Sequence, residues 1–481
     1  MTTQELTGLS LAEARRVVAE HKLSPVELTE AYLERIERLE PRTNAFITVM
    51  GDEARDAARA GEQEIASGNH RGPLHGLPLA IKDLFDVAGV RMTAGSRILS
   101  DNMAAEDSEA ASRLKAAGGV ILGKLNLHEF AFGATGVNPH FGPACNPWDN
   151  GRITGGSSSG SGAAVAAGEC LAALGTDTGG SIRIPASLCG IVGLKPTYGR
   201  VSKRGVLPLS WALDHVGPMT RTVEDAAILL GVLAGNDPRD PSSADEAVPD
   251  YLRSLNGEIT GLRIGIPRRF FFQSIEPEVE AAVMAAIKLL GEMGAVVSEI
   301  DLPLIDEIPG AVNAVMLPEA LALHQRWMQE RPDDYGDDVR YRLELGATYL
   351  AVHYVQAQRL RDNAIRAWRD QVFSQIDLIA MPTTPITAPR IEEASGSGRS
   401  GVSLQVTFSL IRLTNPLNFL GVPAISVPCG FTGDGMPIGL QLAGRWWDDA
   451  TVLRAAHAYE QATDWHKRLP PLQTARGYGS D

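Results

Sequence analysis

Cysteine is scarce in this chain, with four in 481 residues, at Cys145, Cys170, Cys189 and Cys429. That is too few for a disulfide framework at this length, so reduced and mostly buried thiols are expected. Positive charge is short as well. Lys and Arg number 44 against 58 Asp and Glu, a net charge of −14, and no lysine or arginine block stands out. This balance argues against a nucleic-acid surface and against an anionic membrane as partner. Long apolar runs are missing: the Ala-rich stretch 163–174 is broken by Glu169 and is too short to span a bilayer. The start, Met1-Thr2-Thr3-Gln4-Glu5, has neither the basic region nor the apolar run of a signal peptide. A cytoplasmic protein is the simplest expectation. The ten histidines do not cluster at metal spacing, and His128-Glu129 lacks a second histidine four residues on. Gly133 to Gly136 lacks the third glycine of a dinucleotide fingerprint. Neither a metal nor a cofactor is expected.

What the chain does have is two serine turns. Gly155-Gly156-Ser157-Ser158-Ser159-Gly160-Ser161-Gly162 is followed by Asp177-Thr178-Gly179-Gly180-Ser181-Ile182-Arg183, so Ser157 and Ser181 stand 24 residues apart (181 − 157). Glycines before a serine let the backbone approach a ligand and turn its N–H groups toward it. Such a turn can combine an exposed hydroxyl with an oxyanion site. A Gly/Ser cluster alone reads equally well as a flexible loop. Lys82 closes the apolar run Leu77-Pro78-Leu79-Ala80-Ile81, and no histidine lies near either serine turn, so a Ser–His–Asp triad has little support.

The joint order Ile81-Lys82-Asp83, the two serine turns, Gly193-Leu194-Lys195-Pro196-Thr197, Gly421-Val422-Pro423-Ala424 and Pro437-Ile438-Gly439-Leu440-Gln441 resembles the amidase signature family over nearly the whole chain. The resemblance implies an α/β fold with a large mixed sheet covered by helices on both faces. It implies Lys82 as catalytic lysine, Ser157 as bridging serine held through a cis peptide bond, and Ser181 as acylated nucleophile. The backbone N–H groups of Thr178, Gly179, Gly180 and Ser181 would form the oxyanion hole, and Ala131 would line the substrate pocket.

That assignment makes a chemical demand. A serine hydroxyl needs a base to become nucleophilic toward an amide, and a Ser181–Ser157–Lys82 relay provides one only if the lysine is neutral. A free lysine near 10.4 must come down by roughly 3 units to serve, which burial supplies. Asp83 and Asp86 would oppose this if they touched the amine. On a strand over 78–83, Lys82 and Asp83 point to opposite faces, so Lys82 is expected buried and Asp83 turned away. Arg183 is expected to brace the second turn through Asp177, and Asp214-His215 to be a structural segment near the site.

The organisation follows from capping and periodicity. Ser10-Leu11-Ala12-Glu13 and Ser24-Pro25-Val26-Glu27 read as capping boxes opening helices that end near Glu40-Pro41. Helices are expected over 51–67, 106–118, 159–168, 221–234 and 277–293, with 310–375 mostly helical. Strands are expected over 78–83, 119–123, 170–176, 262–267, 296–300 and 377–381. Residues 391–403, rich in Gly and Ser, read as a surface loop. Size alone would allow two or three units, yet the signature elements run from 82 to 441. A single domain over 1–481 is expected, with a helical region 1–70 packed on it and a helical insertion over 305–375.

The substrate reading rests on departures. Amidotransferase A subunits of the family carry an aspartate seven positions before the asparagine matched by Asn418, where it helps hold the amino group of glutamine; here that position is Ile411. An apolar side chain cannot pair an ammonium. Their Leu-Asp-Gln is Leu213-Asp214-His215 here. The expectation is therefore an amidohydrolase cleaving an apolar or aryl amide, with carbamates or esters within reach, through an acyl-enzyme on Ser181. Ile411 would line its pocket, with Trp211, Phe132, Trp327 and Leu413 as weaker candidates. Two alternatives stand beside it: a glutamine-hydrolysing A subunit of a tRNA-dependent amidotransferase, and a catalytically silent scaffold. A homodimer through the N-terminal helices follows from family habit alone.

Overall fold

A computed structural model describes residues 2–395 and 402–474. Eleven strands form one mixed sheet, in the spatial order Phe46–Val49, Val120–Leu125, Pro78–Lys82, Ala172–Asp177, His215–Thr220, Val192–Lys195, Ala424–Phe431, Pro437–Gly444, Leu378–Pro382, Arg263–Ile266 and Val296–Glu299. The Pro78–Lys82 strand runs parallel to both neighbours. From Ala172–Asp177 to Leu378–Pro382 the pairs are antiparallel, and the last two are parallel. The central strands are buried along their whole length, which requires cover by other elements. Helices supply it, with Arg183–Cys189, Pro277–Glu292 and Asp449–Gln461 all packing against the Ala424–Phe431 and Pro437–Gly444 pair.

Local signals account for much of this. Ser10 makes the full capping box with Glu13 and opens Leu11–Ala19. Ser24 accepts from the N–H groups of Val26 and Glu27 and opens Pro25–Thr43. That helix runs past Pro41, beyond its expected end, and stops instead at Asn44 in the left-handed conformation. The expected helix over 106–118 is shorter, Glu109–Ala116, because Ser108 is its N-cap. Residues 310–375 hold Ile308–Glu330, Asp337–Gly346 and Ala351–Ala367. Of the expected loop 391–403, Ile391–Ala394 is a helical turn and Val402 begins another helix; residues 396–401 lie outside the described residues. No described helix is long and apolar enough to cross a membrane.

The topology decides where chemistry gathers. The Pro78–Lys82 and Ala172–Asp177 strands are parallel neighbours, so Lys82 and the turn after Asp177 emerge at the same end of the sheet. The helix Ser159–Ala167 leads from the first serine turn back to the strand that presents the second.

Candidate active site

Lys82 is fully buried. Its Nζ lies 2.8 Å from Ser157 Oγ and 2.8 Å from Thr176 Oγ1. Burial brings its pKa down to about 7, against the opposing pull of Asp214 and Asp177. Asp83 turns the other way: its Oδ1 pairs with Lys124 Nζ at 2.7 Å, and its Oδ2 accepts from the N–H and hydroxyl of Thr93 at 2.9 and 2.6 Å. Both members of that pair are buried. Among the described residues no carboxylate contacts the Lys82 amine.

The two serine turns are fastened together. The Gly156–Ser157 peptide is cis. The Ser157 carbonyl accepts from His128 N–H at 3.1 Å, and Ser158 N–H donates to the Ser181 carbonyl at 3.2 Å. Ser158 Oγ donates to the Thr176 carbonyl at 3.2 Å, on the strand that leads to Ser181. Glycine is required at 180, where φ is +133° and a Cβ would lie 2.2 Å from Thr414 Oγ1. That hydroxyl donates to the Gly179 carbonyl at 2.5 Å.

Asp177 organises the second turn. Its carboxylate takes Arg183 Nε and Nη2, each at 3.0 Å, and the N–H groups of Gly180 and Ile182 at 2.7 and 3.1 Å. Asn418 Nδ2 adds a bond at 2.8 Å. Burial works to raise this carboxyl, but Arg183, with Lys195 and Asn418, holds it well below the usual carboxylate range. Arg183 is itself consumed, since Nη1 also reaches Gln441 Oε1 at 2.7 Å and Nη2 reaches Asn418 Oδ1 at 2.6 Å.

One expected role does not fit this geometry. The Gly180 N–H, placed in the oxyanion hole by resemblance, is already bound to Asp177. The N–H groups of Thr178, Gly179 and Ser181 have no acceptor among the described residues, so they are the donors left for a ligand. The Ser181 hydroxyl is likewise without a hydrogen-bond partner there, and the residue is 9 % exposed.

A cavity of about 650 Å³ opens beside this turn. Thr176, Thr178 and Ala131 are part of its lining, Leu84, Leu207 and Val216 give it apolar wall, and Lys82, Ser157 and Ser181 are not among the residues that line it. Ala131 sits there with φ +58°. Trp211 is on the rim, 48 % exposed. Two expected lining residues are not in this wall. Phe132 is buried with its ring 5.8 Å from the Arg342 guanidinium, because Arg342 also grips its carbonyl. Ile411 packs against the apolar cluster of Ile184 and Leu188, one turn before Thr414. Leu413 is core, and Trp327 stacks on Phe130 at 5.9 Å.

Tyr198, Lys203 and Arg239 also line the cavity, and no local signal in the sequence separates them from surface residues. Asp214 binds the Thr178 hydroxyl at 2.5 Å and the N–H groups of Leu209 and Ser210 at 2.8 and 3.1 Å. It therefore ties the serine turn to the cavity wall. His215 Nδ1 lies 2.7 Å from the Leu213 carbonyl, and burial pushes its pKa well down, so a neutral, structural ring is what the geometry supports. Among the described residues no group of three metal-ligating side chains occurs.

The family model described as Amidase matches residues 27–453. The chain is 45 % identical to the A subunit of the glutamyl-tRNA(Gln) amidotransferase of Roseiflexus sp. (strain RS-1), covering 97 % of this chain and 99 % of that one. It is equally 45 % identical to an amidase of Pseudomonas putida, over 97 % and 98 %. Among solved structures it superposes on an inhibitor-bound vestigial complex tied to the origins of an s-triazine catabolic enzyme, with TM-score 0.88 and 36 % identity, covering 94 % of this chain and 98 % of that one.

Proposed function

We propose that this chain, which belongs to the amidase signature family and is an amide hydrolase, acts through a covalent acyl-enzyme on Ser181. Ser181 Oγ attacks the amide carbonyl as its proton moves to Ser157 and from there to neutral Lys82. The carbonyl oxygen becomes an oxyanion facing the free N–H groups of Thr178, Gly179 and Ser181. Lys82, now an ammonium, returns the proton through Ser157 to the leaving nitrogen, and the C–N bond breaks. A water then repeats the sequence on the acyl-enzyme ester, releasing the acid and restoring Ser181. The observation that carries this reading is the 2.8 Å contact between Ser157 Oγ and a buried lysine whose pKa is brought down to about 7.

The substrate is a small amide of largely apolar body, as the cavity wall of Leu84, Leu207, Val216 and Trp211 favours. Carbamates and esters share the tetrahedral intermediate and are accessible to the same groups. A second reading, glutamine hydrolysis within a tRNA-dependent amidotransferase, is favoured by the name of several relatives at 42–45 % identity. Against it stand Ile411 and His215, at positions where the family resemblance implies an aspartate and a glutamine for a glutamine-hydrolysing subunit. The isolated chain, offered glutamine, an aliphatic amide, an anilide and an aryl carbamate with Ser181→Ala as blank, separates the two. Turnover of the apolar compounds without glutamine supports the main reading. Glutamine turnover alone, or activity only with partner subunits, overturns it in favour of the second. A silent scaffold would show no Ser181-dependent turnover at all.

A further inference from the structure

The charge inventory of the cavity is unbalanced. Five charged side chains line it: Lys203, Arg204, Arg239, Asp214 and Asp240. Asp214 is occupied by Thr178, Leu209 and Ser210. Asp240 is occupied by the Lys203 N–H and by Ser242. Arg204 is neutralised by Glu109 and by Asp237, the latter at 3.0 Å. Among the described residues Arg239 pairs only with Glu106, at 3.7 Å with both side chains mostly exposed. Lys203 has no carboxylate within 4.0 Å among the described residues.

The ammonium of Lys203 is nonetheless held in place. It donates to the Trp211 carbonyl at 2.8 Å and to Tyr198 Oη at 3.1 Å, and it lies 4.4 Å from the Tyr198 ring centroid. Two of its three donors are thereby used, and the third has no acceptor among the described residues. A half-buried cation fixed by neutral partners, with Asp214 and Asp240 near enough to feel its charge but not paired with it, keeps a donor for an anion from outside.

We propose that Lys203, assisted by Arg239, is a carboxylate subsite, so that the favoured amides carry a carboxylate at the end remote from the scissile bond. This rests on the reading of the cavity as the substrate site of the Ser181 hydrolase. Leu84, Val206, Leu207, Leu209 and Val216 give the wall an apolar stretch, which fits a body of methylene or aryl groups between the amide and the anion.

The test uses two matched pairs on the full chain. One carries the charge on the acyl side: glutaranilate against the isosteric, neutral 5-methylhexananilide. The other carries it on the amine side: 4-acetamidobenzoate against 4-isopropylacetanilide. In at least one pair the acid is expected to show kcat/KM about tenfold or more above its neutral partner, as a charge-assisted contact implies. Lys203→Met should collapse that ratio toward one, and Lys203→Arg should restore most of it. Calorimetric binding to Ser181→Ala, which needs no chemistry, should show the same preference. Turnover with no preference in either pair, or a ratio unchanged in Lys203→Met, overturns the subsite while leaving the hydrolase reading intact. Selective binding without any Ser181-dependent turnover would instead keep the subsite and overturn the proposed reaction. Absence of both would overturn both.

Discussion

Lys82 and Asp83 are adjacent in the chain, yet their charges do not meet: Lys82 Nζ lies on Ser157 Oγ at 2.8 Å while Asp83 Oδ1 lies on Lys124 Nζ at 2.7 Å. The alternation of an extended strand separates them, and Lys124, from the neighbouring strand, absorbs the carboxylate. That division lets one segment hold a buried amine with a lowered pKa and a compensated acid side by side.

The first consequence is a pH profile. Only the neutral amine accepts a proton, so kcat/KM should rise as pH increases through about 7, the value to which burial brings Lys82. Asp214 acts on Lys82 in the opposite sense, so Asp214→Asn should move the rising limb to lower pH. A pH–rate series on a non-ionising anilide reads both shifts.

Removing the relay separates activity from folding. Lys82→Met and Ser157→Ala are each expected to lower kcat by about a thousandfold or more. Lys82→Met should also stabilise the fold. Because the folded pKa lies near 7 and the unfolded one near 10.5, the unfolded chain binds the extra proton between those values. The destabilisation from this lysine is therefore greatest below pH 7 and fades toward 10.5. Thermal unfolding should show a larger gain in Tm for the variant at pH 6 than at pH 10.

Arg183 gives a stability prediction of the opposite sign. With the guanidinium gone, Asp177 would be a buried charge without its main partner, a loss on the order of 3–5 kcal/mol. Arg183→Met should shift the urea midpoint down by a corresponding amount. Asp177 is held well below the usual carboxylate range, so its contribution is present above that range and is lost only in strong acid, as pH falls through the folded value.

The thiols should be quiet. Cys170, Cys189 and Cys429 are buried and their pKa values are raised by burial. Only Cys145 is partly exposed. Titration with an aromatic disulfide reagent should count no more than one rapid thiol in the native protein and all four after denaturation, with activity retained in the native sample.

How far the sequence reached depended on the range of the interaction. Capping chemistry at Ser10 and Ser24 and the alternation around Lys82 are local, and both were legible. The Gly-Gly-Ser turns were legible as turns because only glycine tolerates the backbone at Gly180. The competition for the Gly180 N–H was not legible, because it depends on Asp177 folding back three residues under the pull of Arg183. Pocket membership was least accessible. Ile411 and Trp211 are both apolar, and nothing local tells that one faces Ile184 while the other stands on the cavity rim. Lys203 was invisible for the same reason: that no described carboxylate contacts its ammonium is a fact about the whole cavity, not about its neighbours in the chain.

The most direct test is intact-protein mass spectrometry of the chain quenched during turnover of a slowly deacylating aryl ester or carbamate, with peptide mapping of any adduct. The proposed mechanism requires one acyl group per chain, located on Ser181, absent in Ser181→Ala and chased off by hydrolysis. An adduct on another residue, or rapid Ser181-independent turnover, would contradict it.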